Sequence, residues 1–209
     1  DFEYDKFEDE LKKLDPENLT LSIVGTIEKK AGSRKVKHET KMLSLSKTYK
    51  IEDVLKWKDK ETIVSTRKID GVSCSLIYQD EKLILAKTRG DGSFGEDITE
   101  KVLWMGTVPS HISLDGKIEV RGEIFIREEK FFELSNEMVK IGLEKPSSQR
   151  NIVAGLISRK ENIELCRYIE FMAFDLIEEK IHKSEREKFK ILMKEGYDIP
   201  DFEIIENER

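Results

Sequence analysis

An α+β fold of mainly antiparallel sheets with flanking helices is what this sequence predicts. β-prone runs dominate from Thr62 to Arg127, and segments with helical spacing of apolar residues follow from Glu128 onward. The two kinds of segment do not alternate strictly, as the crossovers of a parallel sheet would require. A length of 209 residues suits one moderate domain, alone or with a small appendage.

The chain opens on Asp1-Phe2-Glu3-Tyr4-Asp5 in what reads as a helix, with Phe7, Leu11 and Leu14 at helical spacing and Asp15-Pro16 closing it. A Lys- and Ser-rich stretch through Gly25 and Gly32 reads as a linker with a short extended piece. Met42-Leu43-Ser44-Leu45 is a small apolar block. Ile51 to Trp57 predicts a short helix with Ile51, Val54 and Leu55 turned inward. Thr62–Asp70, Val72–Tyr78 and Lys82–Arg89 predict strands, broken at Gly71 and at Gln79-Asp80-Glu81. Lys117–Arg127 alternates most clearly: Ile118, Val120, Ile124 and Ile126 share one face, and Glu119, Arg121, Glu123 and Phe125 the other. Helices are expected over Glu128–Ile141, Gln149–Arg159 and Ser184–Lys194, with a buried strand over Tyr168–Ile177.

Hydrophobic and charged residues each make up 38% of the chain, and the formal net charge is −6. An acidic balance disfavours gripping nucleic acid by overall charge, so DNA would be held by local basic grooves or by other sequence. Cys74 and Cys166 lie far apart and His38, His111 and His182 are isolated, so a reduced, cytosolic-type compartment and no zinc site are expected. No apolar run approaches the length of a membrane span.

Four blocks carry chemistry. In Lys68-Ile69-Asp70-Gly71, extended geometry puts Lys68 and Asp70 on one side, and Gly71 lets the chain turn beside them. An amine partly desolvated by the fold interior loses basicity and becomes a nucleophile. The same string also describes a strand ending in a charged turn. Thr88 to Asp97 combines Arg89 with Gly90, Gly92 and Gly95, suited to a backbone approaching a phosphate, or to an ordinary hairpin loop. Glu119 to Phe125 places ionisable side chains opposite an aliphatic stripe, which also describes a solvated sheet face. Gly122 within it marks a close approach. Arg150 stands near the start of the expected helix, where anions are favoured, though a plain cap would look the same.

In order, these blocks resemble the nucleotidyltransferase domain of bacterial-type NAD-dependent DNA ligases. TRGDGSFGEDIT, from Thr88 to Thr99, is similar to that family's signature rather than to ATP-dependent ligases. Lys68-x-Asp70-Gly71 resembles the lysine motif of covalent nucleotidyltransferases, Glu119–Phe125 their third motif, and Arg150-Asn151 with Ala154-Gly155 the R-N-A-A-A-G segment. His38-Glu39 with Met42–Leu45 resembles H-E-x-P-M-L-S-L, with Lys41 in the proline's place, and Phe171–Leu176 looks like the next core strand. Asp1-x-Glu3-Tyr4-Asp5 is similar to the end of the small helical domain that recognises nicotinamide mononucleotide (NMN), which ATP-dependent ligases and capping enzymes lack.

The resemblance implies an ATP-grasp-like covalent nucleotidyltransferase fold over residues 26–209 and part of the helical NMN domain over 1–25. It implies that Lys68 takes AMP from NAD as a phosphoramidate. Ser44, Leu45, Arg89 and Glu123 would contact adenosine, Asp1, Tyr4 and Asp5 the nicotinamide end, and Asp70 and Arg150 the phosphate and Mg²⁺ region. Thr66 stands where the family has an adenine-reading glutamate, so one hydroxyl replaces a carboxylate. No D-G-x-x-x-K follows Phe171. The later phosphate-binding lysines, and the oligonucleotide-binding, zinc and helix-hairpin-helix regions, are therefore expected outside this chain, fused or in a complementary subunit. Nicked duplex DNA is the implied partner, and the cytosol of a bacterium or of a virus- or phage-infected cell the implied setting. An ATP-using RNA ligase or capping-type enzyme, and a non-catalytic NAD- or DNA-binding subunit, are the rival readings.

Overall fold

A computed structural model describes residues 34–58, 62–180, 182 and 184–206, together with Phe7, Glu10, Leu11, Lys13, Leu14 and Asp15. Phe7, Leu11 and Leu14 are helical, as their spacing predicts. The expected contacts at Asp1, Tyr4 and Asp5, and the linker through Gly25 and Gly32, lie outside the described residues. Internal contacts divide the chain into two units, Asp1–Ser46 with Arg89–Glu96, and Lys47–Thr88 with Asp97–Arg209.

In the first unit, β1 (Lys35–Lys37) pairs antiparallel with β5 (Phe94–Glu96), Val36 standing opposite Gly95. The second unit is built on an antiparallel sheet of β4 (Lys82–Thr88), β3 (Val72–Gln79), β6 (Lys117–Phe125) and β7 (Glu170–Ile177), in that spatial order. β3 and β4 form a hairpin because Asp80 and Glu81 both take positive φ, 49° and 69°, the backbone of a tight turn that matches strand twist.

Alternation decides the two faces of this sheet. Cys74, Leu76 and Tyr78 from β3, Ile118, Val120 and Ile124 from β6, and Phe171 and Ala173 from β7 are buried on one face. The helix α4 (Gln149–Ser158) covers β3 and β6 with buried Ile152, Val153, Leu156 and Ile157, and a 3₁₀ turn at Ile163–Tyr168 adds Leu165 and Cys166. Large aliphatic side chains removed from water in this way stabilise by about 1.5–3 kcal/mol each, which makes this face the core. Ser148 caps α4 by accepting a hydrogen bond from the Asn151 amide, and Ser184 caps α5 (Glu185–Lys194) through the Glu187 amide. Gly122 marks a close approach, as expected: a Cβ there would stand 2.3 Å from the Met172 carbonyl oxygen and 2.4 Å from the Phe171 ring.

Some expectations are corrected. The strand expected over Thr62–Asp70 is regular only at β2 (Ile63–Thr66), which pairs with β8 (Phe202–Ile205). Residues 67–70 leave the ladder because β8 begins at Phe202, opposite Thr66. Helix α1 (Ile51–Lys58) forms where predicted, but Ile51, Leu55 and Trp57 are exposed and only Lys58 is buried. Helical spacing names an apolar stripe without saying what packs on it. Short elements escape prediction: β1, β5, α2 (Thr99–Val102) and β8. Helix α3 (Glu128–Lys140) closely follows its predicted span.

Candidate active site

The lysine segment starts where the β2–β8 ladder stops and runs into β3. Gly71 makes the crossing possible. A Cβ there would fall 2.0 Å from the Ile124 carbonyl oxygen and 3.3 Å from Cγ of Glu123, so only hydrogen fits between this backbone and β6. Asp70 is tied from below: Arg150, in the first turn of α4, places Nη1 3.2 Å from its Oδ1. The structure thus brings Asp70, Gly71, Glu123 and Arg150 into one neighbourhood, with Lys68 just before it in the chain.

Lys68 itself is exposed, and so are Thr66 and Asp70. The expected desolvation of the amine by the fold interior is therefore corrected, because the segment lies past the end of its ladder and, among the described residues, no strand pairs with it there. Its neighbours Arg67 and Ile69 line a cleft of ≈ 310 Å³ with Phe125 and Met172. Met172 stands opposite Glu123 in the β6–β7 register, so the cleft opens on the polar face of the sheet. Its volume is in the range that holds small ligands.

That polar face is not solvated, which overturns the bland reading of the Glu119–Phe125 strand. Glu119 is 8% exposed, Arg121 8% and Glu123 9%. Buried charges need partners, and two serines of β3 supply hydrogen bonds. Ser75 donates to Oε1 of Glu119 at 2.7 Å, and Nε of Arg121 donates to the same oxygen at 2.8 Å. Ser73 donates to Oε2 of Glu123 at 2.7 Å. Lys87, opposite Ser75 in the β3–β4 register, is buried too. Motif reading missed Ser73, Ser75 and Lys87. The signal was available, since Ser73 and Ser75 sit at every second position after Gly71, in phase with Glu119, Arg121 and Glu123 across the register.

In the first unit, the glycine loop is an ordered turn. Gly90 and Gly92 take positive φ, 55° and 86°, and a Cβ on Gly90 would strike the Phe94 carbonyl oxygen at 1.9 Å. Asp91 accepts hydrogen bonds from the Ser93 and Phe94 amides at 2.8 and 2.7 Å. These bonds, that of Phe94 foremost, hold its carboxyl below the usual range, and Lys35 and His38 add positive charge. The Met42 amide donates to the Gly92 carbonyl at 3.0 Å, which joins the Met42–Leu45 block to the loop. Ser44 and Leu45 are exposed and Arg89 is half-buried.

Among the described residues, no three His, Cys, Asp or Glu side chains are grouped to hold a metal, and no helix is long and apolar enough to cross a membrane. Asp70 lies beside the Arg150 guanidinium.

The family model described as the NAD-dependent DNA ligase adenylation domain matches residues 30–206. The chain is 32% identical to a DNA ligase of Lachnoclostridium phytofermentans over 98% of its own length and 32% of the relative's. It is 33% identical to a DNA ligase of Clostridium kluyveri, over 99% of the chain and 34% of the relative. A DNA ligase of Mycoplasmopsis pulmonis is 30% identical over 98% of the chain and 33% of the relative. The chain thus spans about a third of the length of the curated relatives it matches.

Proposed function

Since the chain belongs to the NAD-dependent DNA ligase adenylation-domain family, we propose that Lys68 is the nucleophile that takes AMP from NAD. The Lys68 amine, once deprotonated, attacks the adenylyl phosphorus. An N–P bond forms and the P–O bond to the departing NMN phosphate breaks. In-line displacement of this kind needs positioning and neutralisation of growing charge more than covalent chemistry from the protein.

The observation that carries this reading is the two-point anchoring of the lysine segment, Asp70 to Arg150 and the Gly71 backbone against the Ile124 carbonyl of β6. An exposed amine on an anchored backbone is accessible to a dinucleotide while its Cα is held. Desolvation, which the fold does not supply, would come from the bound substrate. Ser44, Leu45, Arg89 and Glu123 serve the adenosine in this scheme, Thr66 offers a hydroxyl beside the lysine, and Asp1, Tyr4 and Asp5 hold the nicotinamide end. Arg150 serves the phosphates. Mg²⁺ fits here only as an ion held chiefly by phosphate oxygens and water, with Asp70 as a single carboxylate ligand, a common way for this ion to be bound. It would lend charge neutralisation at the phosphate.

We further propose that the chain is one module of an enzyme that passes the AMP to the 5′-phosphate of a nick in duplex DNA, where the 3′-hydroxyl then expels it. The remaining groups come from sequence beyond this chain. Incubation with adenylate-labelled NAD tests the first step: label should attach to the wild type and not to Lys68→Ala. Label retained by Lys68→Ala, or transfer from ATP in preference to NAD, would overturn the assignment.

A further inference from the structure

We infer that Ser73 is a positioning residue of this site, holding the Glu123 carboxylate in the orientation that receives the adenosine; the inference rests on the adenosine-binding role proposed for Glu123. The two residues face each other directly across the β3–β6 register. The Ser73 hydroxyl donates to Oε2 of Glu123 at 2.7 Å, the length of a hydrogen bond to a charged oxygen. A glutamate otherwise samples several rotamers, and an acceptor that must meet a ligand donor in one geometry gains from being held there.

A second contact points the same way. Gly71 lies beside the Glu123 side chain, close enough that an added methyl would be 3.3 Å from its Cγ. Glu123 is therefore held by Ser73 and flanked by Gly71, the residues through which the lysine segment enters β3. The segment that carries the amine leads straight into the strand that sets the carboxylate, which ties the placement of nucleophile and adenosine acceptor together. The neighbouring pair shows what a purely structural arrangement looks like on the same face. Oε1 of Glu119 takes both Ser75 and Arg121, a hydrogen-bonded ion pair within the sheet.

The test measures lysyl-AMP formation by the 209-residue chain as a function of NAD concentration, with thermal midpoints as a fold control. Ser73→Ala should raise KM about tenfold while changing the rate at saturation by less than about threefold, as expected for a lost ground-state contact. Ser73→Thr, which keeps the hydroxyl and suits a strand, should restore KM to within about threefold of wild type. In a Glu123→Gln background, Ser73→Ala should add little, because the coupled partner is already gone. An unchanged KM in Ser73→Ala, full additivity in the double variant, or no rescue by Thr would each overturn the positioning role. If Glu123→Gln behaves as wild type, or the wild type takes no AMP, it is the underlying reading of the site that fails.

Discussion

Gly71→Ala is the sharpest probe of how this fold presents its lysine. The added methyl would lie 2.0 Å from the Ile124 carbonyl oxygen, where ordinary contact begins at 3.4 Å. The obstacle is backbone within β6, paired on both sides by β3 and β7, so it cannot swing aside as a side chain would. The lysine segment must give instead, by roughly an ångström or more, and displacements of about 1 Å in a catalytic array can cost on the order of 100-fold in rate. Stability should fall by about 1–3 kcal/mol, the range for overpacking a close contact. At roughly 2–4 °C per kcal/mol for a chain of this size, that is a drop of about 2–12 °C in thermal midpoint. Transfer of label from NAD and a thermal melt, run on the same preparation, read both. Gly106→Ala is the control, since nothing lies within 4 Å of its added methyl. Wild-type labelling and an unchanged midpoint for Gly71→Ala would refute the steric basis for the lysine's placement.

The Asp70–Arg150 pair is exposed, 68% and 58% at the side chains, so breaking it with Asp70→Asn or Arg150→Gln should cost less than about 1 kcal/mol. Adenylation should fall in both variants with the melt nearly unchanged; a melt that falls in step with activity would show a structural role instead. Asp91 gives a pH prediction. Its carboxyl is depressed in the folded chain, chiefly by the Phe94 amide, so its contribution is present above the unfolded value of about 3.9 and is lost as pH falls through the lower folded value. Protection of the Ser93 and Phe94 amides, measured as exchange relative to the intrinsic rate at each pH, should fall across that acid window and stay constant across it in Asp91→Asn. Cys74 and Cys166 are both buried, and burial pushes their thiols up, that of Cys166 to about 11. Neither should react with iodoacetamide near neutral pH in the folded chain, while both should react in denaturant; fast alkylation of either would contradict the packing.

Much of the site was legible because its information is local. The Gly90–Asp91–Gly92 turn is built from bonds within a few residues, so its chemistry shows in the string itself. The two faces of β6 followed from alternation alone, as did the major helices within a residue or so of their ends. Burial of Glu119, Arg121 and Glu123 was not legible, since a polar stripe looks the same whether water or protein covers it. Nor was the exposure of Ile51 and Leu55, for the converse reason.

By itself the sequence determined the order of the chemical motifs, the sheet-forming character of the middle of the chain and the candidacy of Lys68. These depend on residue type and on spacings of a few positions, which local backbone geometry translates directly. Tertiary structure alone decided that β2 ends where β8 begins, that Gly71 threads past Ile124, that Arg150 reaches Asp70 and that Ser73 meets Glu123. Each of these joins residues far apart along the chain. Their contact depends on how whole elements pack, and no periodicity within a single segment records it.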